Sequence, residues 1–166
     1  IASSAVDLTS KVTGVLPVGN SQTNTPAFQA RYPLDFTFPD NIETKVTGFN
    51  VELDANNNFA SDRFTPTVAG KYFVSISGNM GGVNGYTMYN GNINLKKNGT
   101  VITKSQGQGH VTYRSNRYPL CTTAIVDMNG STDYLEMFVY LNTQDSANGR
   151  LSDSSASFSA YKLIGV

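Results

Sequence analysis

Between Gly70 and Gly78 the chain alternates without a break. Lys71, Phe73, Ser75 and Ser77 fall on one face, and Tyr72, Val74 and Ile76 fall on the other. Period two is the repeat of an extended strand, whose successive side chains leave opposite faces. A strand with one apolar face needs a second layer to cover it. The same period recurs along most of the sequence. Residues 44–53, "TKVTGFNVEL", read as strand, and "DANNN" reads as a turn, because Asn and Asp tolerate left-handed backbone. "NINLKKNGTVITKS" reads as a hairpin closed by Asn98-Gly99, the favoured type I′ pair. "YPLCTTAIVDMNGSTDYLEMFVYL" reads as a second hairpin turning at Asn129-Gly130, and "SASFSAYKLIGV" as a last strand. No window of useful length carries a helical period. The fold class is all-β, an antiparallel sandwich or barrel of many short strands.

Length and charge narrow the possibilities further. At 166 residues the chain suits one domain with a sizeable core. Lys plus Arg balances Asp plus Glu, 12 against 12, so no global field draws it to nucleic acid or an anionic membrane. No apolar run approaches the roughly 18 residues of a membrane span, and no basic-then-apolar signal follows Ile1. With Ile1 where an initiator Met would stand, a fragment or processed product is expected. Cys121 is the only cysteine, which excludes an internal disulfide, and its apolar surroundings make a buried small hydrophobe the expectation. Residues 1–25 differ from the rest, being small, polar and β-branched, with Pro17 and no aromatic. They cannot build a core and read as an extended fibre lead-in, wound with copies of itself, ahead of a head at 26–166.

Few residues could carry catalysis. His110 is the only histidine and sits in a Gly-rich stretch, no Gly-x-Ser-x-Gly is present, and no His/Cys group has zinc spacing. No catalytic, metal or cofactor site is expected. "DANNN" spaces Asp54, Asn56 and Asn58 like a calcium loop, but Phe59 and Thr65 stand where that loop needs Gly and Glu. Asn98 and Asn129 satisfy the glycosylation pattern, although turn chemistry explains both. The aromatics divide in two. Phe49, Phe64, Tyr72 and Phe158 suit a core, whereas Tyr86, Tyr89 and Tyr113 lie in Gly/Asn-rich or Arg-flanked segments. Tyr in such loops gives rigid amphipathic contact area suited to recognition, or else folds over the sandwich edge.

The segment "FNVELDANNNFASDRFTPTVAGKYFVSIS" resembles the signature of the complement C1q globular head and its TNF-like relatives. Phe49, Asp54, Phe59, Phe64, Gly70 and Tyr72 take the signature places, with Val74 and Ile76 as aliphatic stand-ins. The spacings from Phe49 to Asp54 and from Phe59 to Phe64 are shorter than the family pattern. "SFSAYKLIGV" resembles the family's last strand, and "INLKKNGTVI" its fourth strand and hairpin. The resemblance covers roughly 26–166 and implies a ten-stranded antiparallel jelly roll, C1q/TNF-like and homotrimeric, with its termini together at the base. "VDLTSKVTGVLPVGN" is similar to segments ahead of the terminal knobs of bacteriophage and marine-virus tail fibres. Together the two likenesses imply the tip of a viral fibre on the virion.

In such a roll consecutive strands alternate in direction. The connections 78–91, 106–117 and 142–156 then fall at one end, the apex, and the two Asn-Gly turns at the other. The candidate ligand-binding residues are Tyr86, Tyr89, Tyr113, Arg114, Arg117, Asn148 and Arg150. In residues 133–141 a second apolar face, Tyr134, Phe138 and Tyr140, is the candidate trimer interface. The expected function is non-enzymatic attachment to a host-cell glycan or surface protein, without nucleic acid or membrane insertion. Two alternatives stand beside it: a structural cap that trimerises the fibre, or a secreted signalling or lectin-like head of a cellular organism.

Overall fold

The computed structural model describes residues 23–109, 117–152 and 156–165. Among them are thirteen β segments in two antiparallel sheets facing one another, the jelly-roll sandwich. The first sheet holds β1 (Ala27–Arg31), β2 (Phe36–Phe38), β4 (Asn50–Asp54), β7 (Gly70–Gly82), β10 (Tyr118–Met128), β12 (Gly149–Leu151) and β13 (Ser157–Lys162). The second holds β3 (Thr44–Lys45), β5 (Phe59–Ala60), β6 (Arg63–Phe64), β8 (Met88–Lys97), β9 (Thr100–Gln108) and β11 (Leu135–Thr143).

The alternation that opens the sequence sets the orientation of the central strand. Along β7 the side chains of Tyr72, Val74 and Ile76 are fully buried. Strands β1 and β13 pair large against small: Phe28 sits opposite Ala160 and Ala30 opposite Phe158. That pairing lets two strands bring a phenylalanine each to the interior without a clash. The opposing sheet supplies Phe59, Phe64, Ile93, Leu95, Leu135, Met137, Val139 and Leu141 to the same core. Of the aromatics expected inside, Phe64, Tyr72 and Phe158 are buried, and Phe49 packs half-buried against them. "DANNN" is an ordinary turn, with both Asp54 carboxylate oxygens taken by the backbone N–H groups of Asn58 and Phe59.

Three expectations need correction. Residues 44–53 are two strands in different sheets, because the chain turns at Gly48 (φ +96°) between β3 and β4. Residues 118–141 are no hairpin: β10 pairs with β7 in the first sheet and β11 with β8 in the second, so 129–134 crosses the sandwich. Cys121 is exposed, because its strand buries Leu120, Val126 and Met128, and Cys121 takes the opposite phase. The β8–β9 hairpin stands as expected, with Lys97 opposite Thr100 and left-handed backbone at Asn98 and Gly99.

The base is tied by side chains. Asp133 accepts hydrogen bonds from the Asn98 amide (2.7 Å) and the Asn129 backbone N–H (2.9 Å), and pairs with Lys97 (2.8 Å). Gly130 (φ +72°) lies against residues 68–69, where an added Cβ would sit 2.2 Å from the Ala69 nitrogen. The described chain begins here too: the Asn24 amide donates to the Lys162 carbonyl (3.0 Å), and Asn24 O accepts from the Lys162 N–H.

The hydrogen bonds from Lys97, then Asn98 and the Asn129 N–H, lower the Asp133 carboxyl from 3.8 to about 2. A depressed carboxylate contributes stability that is whole above its unfolded value and is lost as pH falls through the folded one. The urea midpoint is therefore expected to drop between about pH 4 and pH 2. Asp133→Asn should flatten the dependence in that window, and an unchanged profile would exclude the group as its source.

Candidate functional site

Three connections meet at the end opposite the base. The Val83 N–H donates to Asn148 O (3.0 Å), the Gln144 N–H to Thr87 O (2.9 Å), and the Gly109 N–H to Tyr89 O (3.0 Å). The described ends of the three connections therefore meet at one end, although strands run further into the first and third connections than the sequence suggests. Strand β7 continues to Gly82, β8 begins at Met88, and β12 lies inside the third connection. Tyr86 follows a short turn of 3-10 helix, Val83–Gly85, and folds directly onto Gly82. A Cβ at Gly82 would lie 2.6 Å from Tyr86 O, so only glycine allows this approach.

The candidate residues fare differently. Tyr86 and Tyr89 are both 41% exposed, and Tyr89 lies on strand β8 rather than in a loop. Asn148 is exposed beside the first loop, and Arg117 is exposed just before β10. Arg150 is a strand residue of β12, held against Asp35 at 3.1 Å. Its strand placement ties β12 to the chain ahead of β2, where the sequence had suggested a loop cation. Tyr113, Arg114 and His110 lie outside the described residues.

The outer row of β11 is engaged by the chain itself. Arg63 sits over the Tyr134 ring (3.9 Å to its centroid) and Lys96 over the Phe138 ring (4.1 Å). The Tyr140 hydroxyl donates to the Asn41 amide oxygen. Between Tyr134 and Phe138, Glu136 is buried and accepts from Lys45 (2.8 Å) and Arg63 (3.0 Å). Burial alone would raise the Glu136 carboxyl, but hydrogen bonds and charge from Lys45 and Arg63 outweigh it and hold it below its ordinary value. The aromatics that looked like a bare second face thus carry cations and hydrogen-bond partners.

The outer face of the first sheet is different. Phe73 pairs across to Ile125 and to Tyr161, and the Phe73 and Tyr161 rings stand 5.4 Å apart. Ile125 is 65% exposed, the most open aliphatic residue in the strands. Beyond this row β10, β7 and β13 carry only small side chains, Thr123, Ser75 and Ser159, then Cys121, Ser77 and Ser157, with Gln29 and Arg31 of β1 alongside. Charges stand at the margins, as the Lys71–Asp127 and Arg31–Glu52 pairs. The signal for this face in the sequence is Phe73, an aromatic standing in an otherwise polar phase.

Among the described residues no group of three His, Cys, Asp or Glu side chains could hold a metal ion. Glu136 is the one buried charged residue described, and two cations keep it anionic, so it cannot trade protons near neutral pH. Among the described residues no helix is long and apolar enough to cross a membrane.

No protein-family model matches the sequence, and no curated protein does. Solved structures do match in fold. The Eiger TNF from S. frugiperda aligns with a TM-score of 0.59 at 9% identity, over 85% of this chain and 95% of that one. Murine APRIL at pH 5.0 aligns with a TM-score of 0.55 at 12% identity, over 82% and 99%. The chain therefore has the TNF-like jelly-roll fold.

Replacing Glu136 with Ala leaves Lys45 and Arg63 facing each other without an anion. The expected loss is about 2–3 kcal/mol of folding stability, as for charged hydrogen bonds in a partly buried site. Equilibrium denaturation measures it, and a loss below about 0.5 kcal/mol would mean solvent already screens the cluster.

Proposed function

We propose that the chain is the non-enzymatic head of a trimeric viral fibre, and that its apex binds a receptor on the host-cell surface, a glycan or a protein. One observation carries this: three connections converge, bonded backbone to backbone, at the end farthest from Asn24, where the lead-in joins the head. A fibre held through that lead-in meets a cell with its far end. Tyr86, Tyr89 and Asn148 are exposed there, and rings and amides suit contact with sugars or peptide. Three copies on one fibre make weak single sites sufficient, because the second and third contacts are effectively intramolecular.

For assembly, the exposed Ile125, Phe73 and Tyr161 row favours the outer face of the first sheet over Tyr134, Phe138 and Tyr140. Its neighbours on β10, β7 and β13 are serine, threonine and cysteine, small enough for another backbone to approach closely.

Ile125→Asp should convert a trimer to monomers in light scattering at micromolar concentration, since burying an unpaired carboxylate is costly. Tyr140→Ala should leave the trimer intact, and the opposite pair of outcomes would return the axis to β11. Tyr86→Ala with Tyr89→Ala should weaken adsorption to host cells at least tenfold with the trimer's melting temperature unchanged. Undiminished adsorption would remove the apex from the binding surface.

A further inference from the structure

The outer face of the second sheet carries an amide grid. On β8, Ile93 and Leu95 point into the core, so Asn90, Asn92 and Asn94 point out. The register sets Asn90 between Asn142 of β11 and Gln108 of β9, and Asn92 between Tyr140 and Gln106. Six amide side chains thus share one face of three adjacent strands. Strands lie roughly 4.8 Å apart and same-face residues roughly 7 Å apart, so the grid is about as large as two pyranose rings.

Two features say what it could hold. The first is charge. Lys96 at its margin is neutralised by Glu43 (2.6 Å), which also takes the Asn94 amide N–H (2.7 Å). Of the charges without an ion pair, Lys104 lies opposite Asn94 and Asp40 is bonded to Thr143 beside Asn142, so one of each sign flanks the grid. The second is unmet hydrogen bonding. Asn92 Oδ1 and Asn94 Oδ1 are shielded from solvent without a partner, and Asn94 is only 6% exposed. Buried polar atoms are nearly always paired, so two orphaned acceptors side by side need a donor that the described residues do not supply.

We propose that this face, which adjoins the apex at Asn90, Gln108 and Asn142, is a second binding site, for a neutral oligosaccharide. Each amide offers both a donor and an acceptor, which is what vicinal hydroxyls require. Sugar hydroxyls that displace a neighbouring side chain would satisfy the two orphaned oxygens, and the Tyr140 ring stands beside them. A protein partner would find no aliphatic anchor among the amides, the exposed Val101 and Ile102 standing only at the Lys96 margin. The site extends the attachment reading and depends on it only for its purpose.

The test uses the intact 166-residue chain against a panel of neutral hexose and N-acetylhexosamine oligosaccharides with their sialylated counterparts, followed by NMR titration of any that are retained. A neutral saccharide should bind, and its Kd should weaken at least tenfold in the Asn92→Ala/Gln106→Ala double variant. The same Kd should not move in Tyr86→Ala/Tyr89→Ala. Since Asn92 Oδ1 makes no bond, the amide variant should melt where the parent does. If it melts lower, Gln106→Ala/Gln108→Ala, both exposed, takes its place with the same tenfold loss expected. Retention of no saccharide, a preference for the sialylated forms, or binding indifferent to the amide variants overturns the proposal. A chain that adsorbs to cells but holds no saccharide overturns this site and leaves the attachment reading standing. A chain that holds the saccharide but does not adsorb does the reverse.

Discussion

The sandwich depends on one ring. Phe28 stacks on Phe59 (4.6 Å between centroids) and Phe64 (4.4 Å), and meets the edge of Phe158 (4.9 Å). Phe28 and Phe158 belong to the first sheet, Phe59 and Phe64 to the second, so this cluster holds the two layers together. Aromatic side chains each bury on the order of 150–250 Å² and add offset or edge-on attraction. The large-against-small pairing of β1 with β13 exists to admit this cluster.

With the interior satisfied by one phase of each strand, the other phase is free to differ from face to face. The first sheet uses it for small hydroxyl residues around an apolar row, a surface that another backbone can approach. The second uses it for ion pairs, ring-seated cations and amides. Residues 41–45 make this difference: Asn41, Glu43 and Lys45 reach Tyr140, Asn94 with Lys96, and Glu136 in turn. Aromatics that are apolar by composition become polar neighbours by context. The apex adds a third surface, built where strands change sheets.

Much was legible from residue order. The period of two in 71–77 and the Asn98-Gly99 pair led to an antiparallel sandwich or barrel, the resemblance around Phe59, Phe64 and Tyr72 implied the jelly roll, and strand parity led to an apex. Loop lengths were misjudged because Gly78, Gly81 and Gly82 look like loop residues. They are strand residues here, where Gly78 makes room for Leu151 and Gly82 for Tyr86. The supposed hairpin at 129 failed because an Asn-Gly pair marks a turn without saying whether the strands beside it share a sheet.

The sequence by itself determined which residues alternate, where the chain turns and which faces are apolar, because these follow from local backbone preference and side-chain period. Only the tertiary structure decided which apolar faces stay bare. Whether Phe138 is an interface or a seat for Lys96 depends on strand register, which brings β8 beside β11 from more than forty residues away. The exposure of Cys121 and the gathering of Asn92, Asn94 and Gln106 on one face have the same origin. Contacts between distant segments are set by how the whole core closes, and no short stretch of residues carries that information.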